Sequence, residues 1–224
     1  NYKHMLHIVP TPIGNLEDIT IRAIKILENS DLIIAENSKK TKILLNKYNI
    51  TCPIYSCNVF NEQKKMPIII KKIKNLKNVS LVSDAGTPGI SDPGFLLIRE
   101  CISLNIPISC LPGPTALIPA LIQSGFACEK FVFEGFLPRK KKKKRLEFLS
   151  TENRTIIIYE SPYRLLKTLN DLNTYFQERN IVVVKELTKI YESIYRGNIK
   201  SVIADLETAN IKGEYIIVIQ GFNN

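Results

Sequence analysis

Val79-Ser80-Leu81-Val82-Ser83-Asp84-Ala85-Gly86-Thr87-Pro88-Gly89-Ile90-Ser91-Asp92-Pro93-Gly94 is the stretch that decides the architecture. Val79 to Ser83 is a short apolar run of strand length, bounded by turn residues. The twelve residues from Ser83 to Gly94 then hold three glycines, two prolines and two aspartates. Glycine admits positive φ and close backbone approach, and proline stiffens a loop. Phe95 to Ser103 resumes as a helix. Strand, glycine-rich loop and helix in succession are the building unit of parallel α/β sheets, whose functional residues gather at the carboxyl ends of strands.

The same alternation extends on both sides. Leu6 to Pro10 reads as a strand followed by the turn Thr11-Pro12-Ile13-Gly14-Asn15, and Ile19 to Glu28 as a helix capped by Asp18. Asp31–Ala35 is a strand, Lys39–Tyr48 a helix, Ile54–Ser56 a short strand and Ile68–Leu76 a helix. Ile106–Leu111 is a strand leading through Pro112-Gly113-Pro114 into a helix over Thr115–Gln123. Residues 5–124 therefore predict an α/β domain with a mostly parallel sheet covered on both faces. Ser124-Gly125 marks a boundary. Residues 125–221 predict a second α/β domain. Its strands are Phe131–Glu134, Thr155–Tyr159, Ile181–Lys185, Tyr191–Tyr195 and Glu214–Gln220, its helices end near Leu149 or span Pro162–Tyr175 and Ile199–Thr208. Ile181–Lys185 and Tyr191–Tyr195 lie close enough in sequence to pair antiparallel, so this sheet is mixed. A ligand cleft between the two domains is expected.

Composition narrows the class. Of 224 residues, 45% are hydrophobic and 23% charged, ordinary for globular chains and too apolar for disorder. The longest apolar region, 106–127, is broken by four prolines, so no membrane span is expected, and no signal peptide is read at the N-terminus. Five cysteines without a Cys-x-x-Cys pair read as small core side chains in a reducing cytoplasm. With only His4 and His7, a histidine relay or a histidine-rich metal site is not expected, and no metal is assigned. Net charge is +10, and seven consecutive basic residues, Arg139, Lys140, Lys141, Lys142, Lys143, Lys144 and Arg145, carry most of it. Charge so concentrated points to a polyanionic partner rather than a merely solvated loop.

No dinucleotide or phosphate-loop motif is present. The loop from Ser83 instead offers backbone groups beside Asp84 and Thr87, suited to a polar cationic small molecule.

Six segments carry a family resemblance: Leu6 to Leu16, Ser83 to Gly94, Leu111-Pro112-Gly113-Pro114, Phe133 to Pro138, Glu160-Ser161-Pro162-Tyr163-Arg164 and Lys185-Glu186-Leu187-Thr188-Lys189. Together they resemble the 16S ribosomal RNA cytidine 2′-O-methyltransferases of the tetrapyrrole methylase superfamily. The resemblance implies two α/β domains, S-adenosylmethionine as cofactor, a homodimer, and a cytidine ribose in the decoding region of small-subunit ribosomal RNA as substrate. It implies cofactor contacts at Ile13, Asp84, Gly86, Thr87, Ile90, Thr115 and Ala116, with a wall near Tyr159 and Leu187. RNA contacts are expected from Arg139 to Arg145 and from Lys39. Tetrapyrrole or protein-side-chain methylation, or cofactor binding without catalysis, are the competing readings. Relatives usually carry Ala-Glu-Asp-Thr-Arg where this chain has Ala35-Glu36-Asn37-Ser38-Lys39, and a histidine at the place of Tyr163.

Methyl transfer depends chiefly on alignment, but a ribose hydroxyl is a poor nucleophile and benefits from a base. Glu36, Glu62, Asp84, Glu160, Glu186 and Lys189 are the candidates. For Glu160 and Glu186, structural pairing with Arg164 and Lys189 is the competing explanation.

Overall fold

The computed structural model describes residues 4–222. The chain divides into two compact units between Thr115 and Ala116.

The first unit is built on five strands: β1 (Met5–Ile8), β2 (Leu32–Ala35), β3 (Ile54–Ser56), β4 (Asn78–Val82) and β5 (Ile108–Cys110). Their order is β3-β2-β4-β1-β5, and every pairing is parallel. Four helices cover the sheet: α1 (Ile21–Glu28), α2 (Ser38–Lys47), α3 (Glu62–Asn75) and α4 (Phe95–Ser103). Strand alternation sends Leu32 and Ile34 to one face, where they meet Ile69 and Ile73 of α3 and Leu97 of α4. Ile33 and Ala35 turn to the other face, against Ala23 and Leu27 of α1 and Leu44 of α2. Both faces are buried, as parallel sheets require.

The local starts of two helices differ from the sequence reading. Helix α1 begins at Ile21 because Thr20, not Asp18, accepts from the Ala23 amide at 3.0 Å. Asp18 sits instead in a short 3-10 turn, Leu16–Asp18. Helix α3 starts at Glu62, six residues before the expected Ile68, because Asn58 and Asn61 fold the entry turn and Pro67 is tolerated inside. Proline removes one amide donor and so resembles a start signal when read alone.

The second unit carries α5 (Leu117–Ser124), β6 (Phe131–Phe136), α6 (Lys142–Leu149), β7 (Thr155–Glu160), α7 (Leu165–Phe176), β8 (Asn180–Lys185), β9 (Ser193–Asn198), α8 (Ile199–Glu207) and β10 (Tyr215–Ile219). Strand order is β6-β7-β10-β8-β9. The β6–β7 pair is parallel and the others antiparallel, giving the mixed sheet expected. Leu146, Leu149, Leu165, Leu169, Val202 and Leu206 from α6, α7 and α8 join the core of this unit. Helix α5 packs on β10 and β8. It therefore belongs with the second unit, whereas the sequence boundary at Ser124-Gly125 assigned it to the first. A left-handed Gly125 ending a helix looks like a domain edge in sequence; here it is the helix's own C-cap, with φ 71°.

Candidate functional site

Parallel pairing aligns the carboxyl ends of the first unit's strands. Ile8 stands opposite Leu81, and Ala35 opposite Val82. Everything that follows these residues gathers at one edge of the sheet. The turn after β1 is tied to the loop after β4 by two backbone hydrogen bonds between Thr11 and Gly86, each 2.9 Å. The Thr11 hydroxyl donates to the Ser83 carbonyl at 3.1 Å. Thr87 donates to the Pro114 carbonyl at 3.2 Å, bringing in the loop after β5.

Gly86 lies at φ +80°, and a Cβ there would sit 3.4 Å from Ile13 Cγ2 and 3.7 Å from the Pro114 carbonyl oxygen. Three loops thus converge on one bare backbone position. Gly94 closes the long loop at φ +121°, where a Cβ would press on Leu81 at 2.9 Å. Among the expected cofactor contacts, Ile13, Gly86 and Thr87 are brought together directly, and Thr115 follows Pro114 in the chain. Ile90 is exposed farther along the loop, and Ala116 precedes α5.

Glu62 has a different place from the one its candidacy implied. It is buried, and its carboxylate accepts from the Leu97 amide at 3.0 Å, capping α4 from another element. Its role is to hold the end of the 83–94 loop.

Glu36 and Asp84 follow the adjacent strands β2 and β4. Asp84 pairs with Lys40 at 3.0 Å, and its Oδ1 is buried without a hydrogen-bond partner. Burial first, then the negative charge of Asp84, raise the Glu36 carboxyl above the usual range; a backbone hydrogen bond from Asp84 and the charge of Lys40 only partly offset this. Beside them a cavity of about 180 Å³ is lined by Thr11, Leu16, Ile43 and Leu44 together with Lys40 and Asp84. Asn37 caps α2 through the Lys39 amide at 3.0 Å and the Lys40 amide at 3.4 Å. An asparagine does here what an aspartate would, so the cap survives the substitution. Lys39 itself is exposed.

In the second unit β7 and β8 both run antiparallel to β10, so their carboxyl ends share an edge. Tyr159 packs edge-on against Phe133 at 4.9 Å and Phe136 at 5.9 Å. Leu187 is buried between Glu186 at φ 52° and Thr188 at φ 67°. Left-handed backbone at two such residues is strained and persists only where the surroundings hold it. The brace is visible: Lys189 reaches Glu186 at 2.9 Å and Glu214 at 2.8 Å, and Glu186 accepts the Glu214 amide at 2.8 Å. Burial alone lowers Lys189, but its two carboxylate partners outweigh that and hold it above its ordinary value. Burial raises Glu186, but Lys189 and the Glu214 amide outweigh it and keep the carboxyl low. The pair braces the loop with opposite charges, Lys189 shifted up and Glu186 shifted down.

Glu160 is also structural. Fully buried, it accepts from Thr168 at 2.7 Å and from the Ser161 amide at 2.8 Å, and lies 3.6 Å from Arg164. Arg164 also donates to the Leu137 carbonyl at 3.0 Å, pinning this loop to the start of the basic run.

The run divides. Arg145 forms a two-pronged pair with Glu134 at 2.5 and 2.6 Å. Lys142 donates to Thr168 at 2.8 Å and pairs with Asp171 at 2.8 Å. Arg139, Lys140, Lys141, Lys143 and Lys144 remain exposed. Sequence reasoning counted seven equivalent charges because their acidic partners are distant or on another element. It missed Lys40 and Glu214 for the same reason.

The profile of the Tetrapyrrole (Corrin/Porphyrin) Methylases matches residues 5–203. A Thermotoga maritima protein named ribosomal RNA small subunit methyltransferase I is 46% identical over 217 residues, 96% of this chain and 98% of that protein. The chain belongs to the ribosomal RNA small subunit methyltransferase I family of tetrapyrrole methylases. A Synechocystis relative of the same name is 47% identical over 220 residues, 97% of this chain and 79% of that one. The uroporphyrin-III C-methyltransferase of Thermus thermophilus, solved with S-adenosyl homocysteine, superposes with a TM-score of 0.67 at 12% identity, covering 96% of this chain and 97% of that one. At such identity it supports the fold.

Membership makes the chain an enzyme, a methyltransferase that depends on S-adenosylmethionine. The first unit's loops fit that cofactor. They offer a bare backbone at Gly86, a hydroxyl at Thr87 and the apolar side chain of Ile13 within one small region. A flat, polar-edged adenosine needs such a mixture of close backbone and apolar wall. No helix among the described residues is long and apolar enough to cross a membrane.

Proposed function

We propose that the protein methylates the ribose 2′-oxygen of a cytidine in the decoding region of 16S ribosomal RNA. The observation that carries this reading is the 46% identity to a protein named ribosomal RNA small subunit methyltransferase I, running across nearly the whole of both chains. Ile13, Asp84, Gly86, Thr87, Ile90, Thr115 and Ala116 are the cofactor contacts proposed in the first unit, with Tyr159 and Leu187 in the second. The cofactor, when bound, supplies an electrophilic methyl group.

The protein's own residues do the rest. Positioning the ribose hydroxyl supplies most of the acceleration. Of the six candidate bases, Glu160, Glu186 and Lys189 are committed to structural pairs and Glu62 to the cap of α4. Glu36 has the raised carboxyl suited to receive a hydroxyl proton and release it to water. The exposed charges Arg139, Lys140, Lys141, Lys143 and Lys144, with Lys39, hold the RNA backbone by phosphate neutralisation. A homodimer acting on ribosomal subunits in the cytoplasm completes the reading.

The test is incubation with labelled S-adenosylmethionine and small subunits lacking the modification, followed by digestion to nucleosides. Label in 2′-O-methylcytidine is expected. Label in another nucleoside, or none with cofactor binding verified by calorimetry, contradicts the proposal.

A further inference from the structure

The second unit presents a tyrosine ring that neither its core nor the proposed cofactor contacts use. Tyr163 is 97% exposed. A lone aromatic on a surface is ordinary and needs no partner. Two observations set this one apart. The first is that its backbone is held. Glu160, buried at the end of β7, accepts from the Ser161 amide at 2.8 Å and from Thr168 at 2.7 Å. The Arg164 amide donates to the Ser161 carbonyl at 3.1 Å, closing a tight turn with Pro162 and Tyr163 at its centre. Pro162 fixes its own φ in that turn. The Arg164 side chain then donates to the Leu137 carbonyl at 3.0 Å. The ring thus stands in water on a backbone already ordered, so seating a partner against it costs little further freedom. The second observation is charge. Phe136 stands opposite Tyr159 in the parallel pair β6–β7, so the chain leaves both strands at one edge of the sheet. From β7 it enters the Tyr163 turn, and from β6 it enters the basic segment. Leu137 ties that segment to the turn through Arg164, and Lys142 ties it to α7 through Thr168 at 2.8 Å. With Lys142 paired to Asp171 and Arg145 to Glu134, the cations left exposed are Arg139, Lys140, Lys141, Lys143 and Lys144.

We infer that Tyr163 is a stacking platform for an unpaired base next to the target cytidine, with the basic segment beside it holding phosphates of the same strand. The inference rests on the ribosomal RNA reading above and adds a substrate-binding residue to it. Cations that follow the phosphates and a flat ring that stacks a base are how proteins grip single-stranded nucleic acid. A continuous duplex offers no free base face, so the partner chemistry is an unpaired nucleotide. Tyr163 follows Tyr159, a proposed cofactor contact, by four residues. A base stacked there fixes the strand near the methyl donor. The open position of the ring suits a neighbouring nucleotide, since the target ribose itself has to reach the methyl group. Stacking also complements the charges: phosphate contacts are screened by salt, whereas stacking is not.

The experiment compares wild type with Tyr163→Ala and Tyr163→Phe in steady-state kinetics on small subunits lacking the modification. Loss of one stacked base is expected to raise KM for the subunit roughly tenfold in Tyr163→Ala, by the same factor at low and high salt. S-adenosylmethionine affinity and the urea midpoint stay at wild-type values. Tyr163→Phe keeps the ring without the hydroxyl and stays near the wild-type KM. The chain has no tryptophan, so Tyr163→Trp places a single indole at the platform. Its fluorescence is expected to be quenched by a short single-stranded oligocytidylate at saturation, and not by an RNA duplex of equal length. An unchanged KM in Tyr163→Ala, or a loss in Tyr163→Phe as large as in Tyr163→Ala, overturns the inference. So does an indole indifferent to the single strand, or a single strand that does not bind. Altered sedimentation of Tyr163→Ala with KM unchanged overturns it in favour of a contact between copies of the chain. A quenched indole in a protein whose wild type forms no 2′-O-methylcytidine overturns the ribose-methylation reading and leaves the platform standing.

Discussion

Burial makes the Glu36 carboxylate harder to form, and the negative charge of nearby Asp84 adds to the effect. A raised carboxyl gains proton affinity at the cost of folded-state stability near neutral pH. The group favours the fold below its unfolded value, and that contribution is lost as pH rises through the raised value. Glu36→Gln is therefore expected to lose activity, by roughly 100-fold in kcat, while its urea midpoint at pH 7 stays level or rises. The wild-type rate should fall on the acid side within a window above the ordinary carboxylate range, and the variant should lack that limb. A variant with full kcat, or with the same acid limb, removes Glu36 from the proton path. Glu152 shows the opposite sign. Hydrogen bonds from Arg154 hold it down to about 2, so its contribution is complete above its unfolded value and lost as pH falls toward about 2. Urea unfolding between pH 5 and 2 should show wild type losing more stability than Arg154→Ala, with salt narrowing the gap because the pair is exposed.

Elements decide how these residues are held. Glu62 caps α4 across space, and the residue before α4 is Gly94, which ends the loop from Ser83 proposed to hold the cofactor. Glu62→Ala should cost about 1–3 kcal/mol in chemical unfolding and weaken cofactor binding, because the capped end of the loop loosens. Glu62→Gln keeps an acceptor and should retain most of both; equal loss in the two variants contradicts a capping role. Helix α6 separates structure from recognition in the same way. Arg145→Ala removes the partner of Glu134 and should lower stability by up to about 1 kcal/mol. Lys143→Ala with Lys144→Ala should leave stability alone and reduce the salt dependence of RNA binding. Equal salt slopes in wild type and the lysine double variant would show that these charges do not touch phosphate. Much of this scale was readable in advance. Phe95–Ser103 was legible because it follows directly on the glycine-rich loop that ends at Gly94, and the parallel and mixed sheets followed from the spacing of strands and helices. The start of α3 was not, since the six residues before Ile68 include Pro67 and the turn that opens the helix is folded by Asn58 and Asn61. Nor was the assignment of α5, whose packing partners β8 and β10 come more than fifty residues later in the chain. At the site, the glycine-rich loop announced itself through composition. Lys40, Glu62 and Glu214 did not, because each has meaning only through a partner distant in sequence.

For the molecule as a whole, a net charge of +10 draws in a polyanion, while the methylated atom is chosen by local geometry in the loops. Affinity for RNA and identity of the product are therefore separable properties, and the second defines the function. A ribose 2′-hydroxyl is the internal nucleophile of alkaline RNA cleavage, so a methyl on that oxygen blocks the cut at its own nucleotide. The most direct test is an alkaline ladder of small-subunit RNA taken before and after treatment with the enzyme and S-adenosylmethionine. The account predicts one new gap, at a cytidine of the decoding region, that appears only with both present. A methylated RNA whose ladder remains continuous would place the methyl on a base and contradict it.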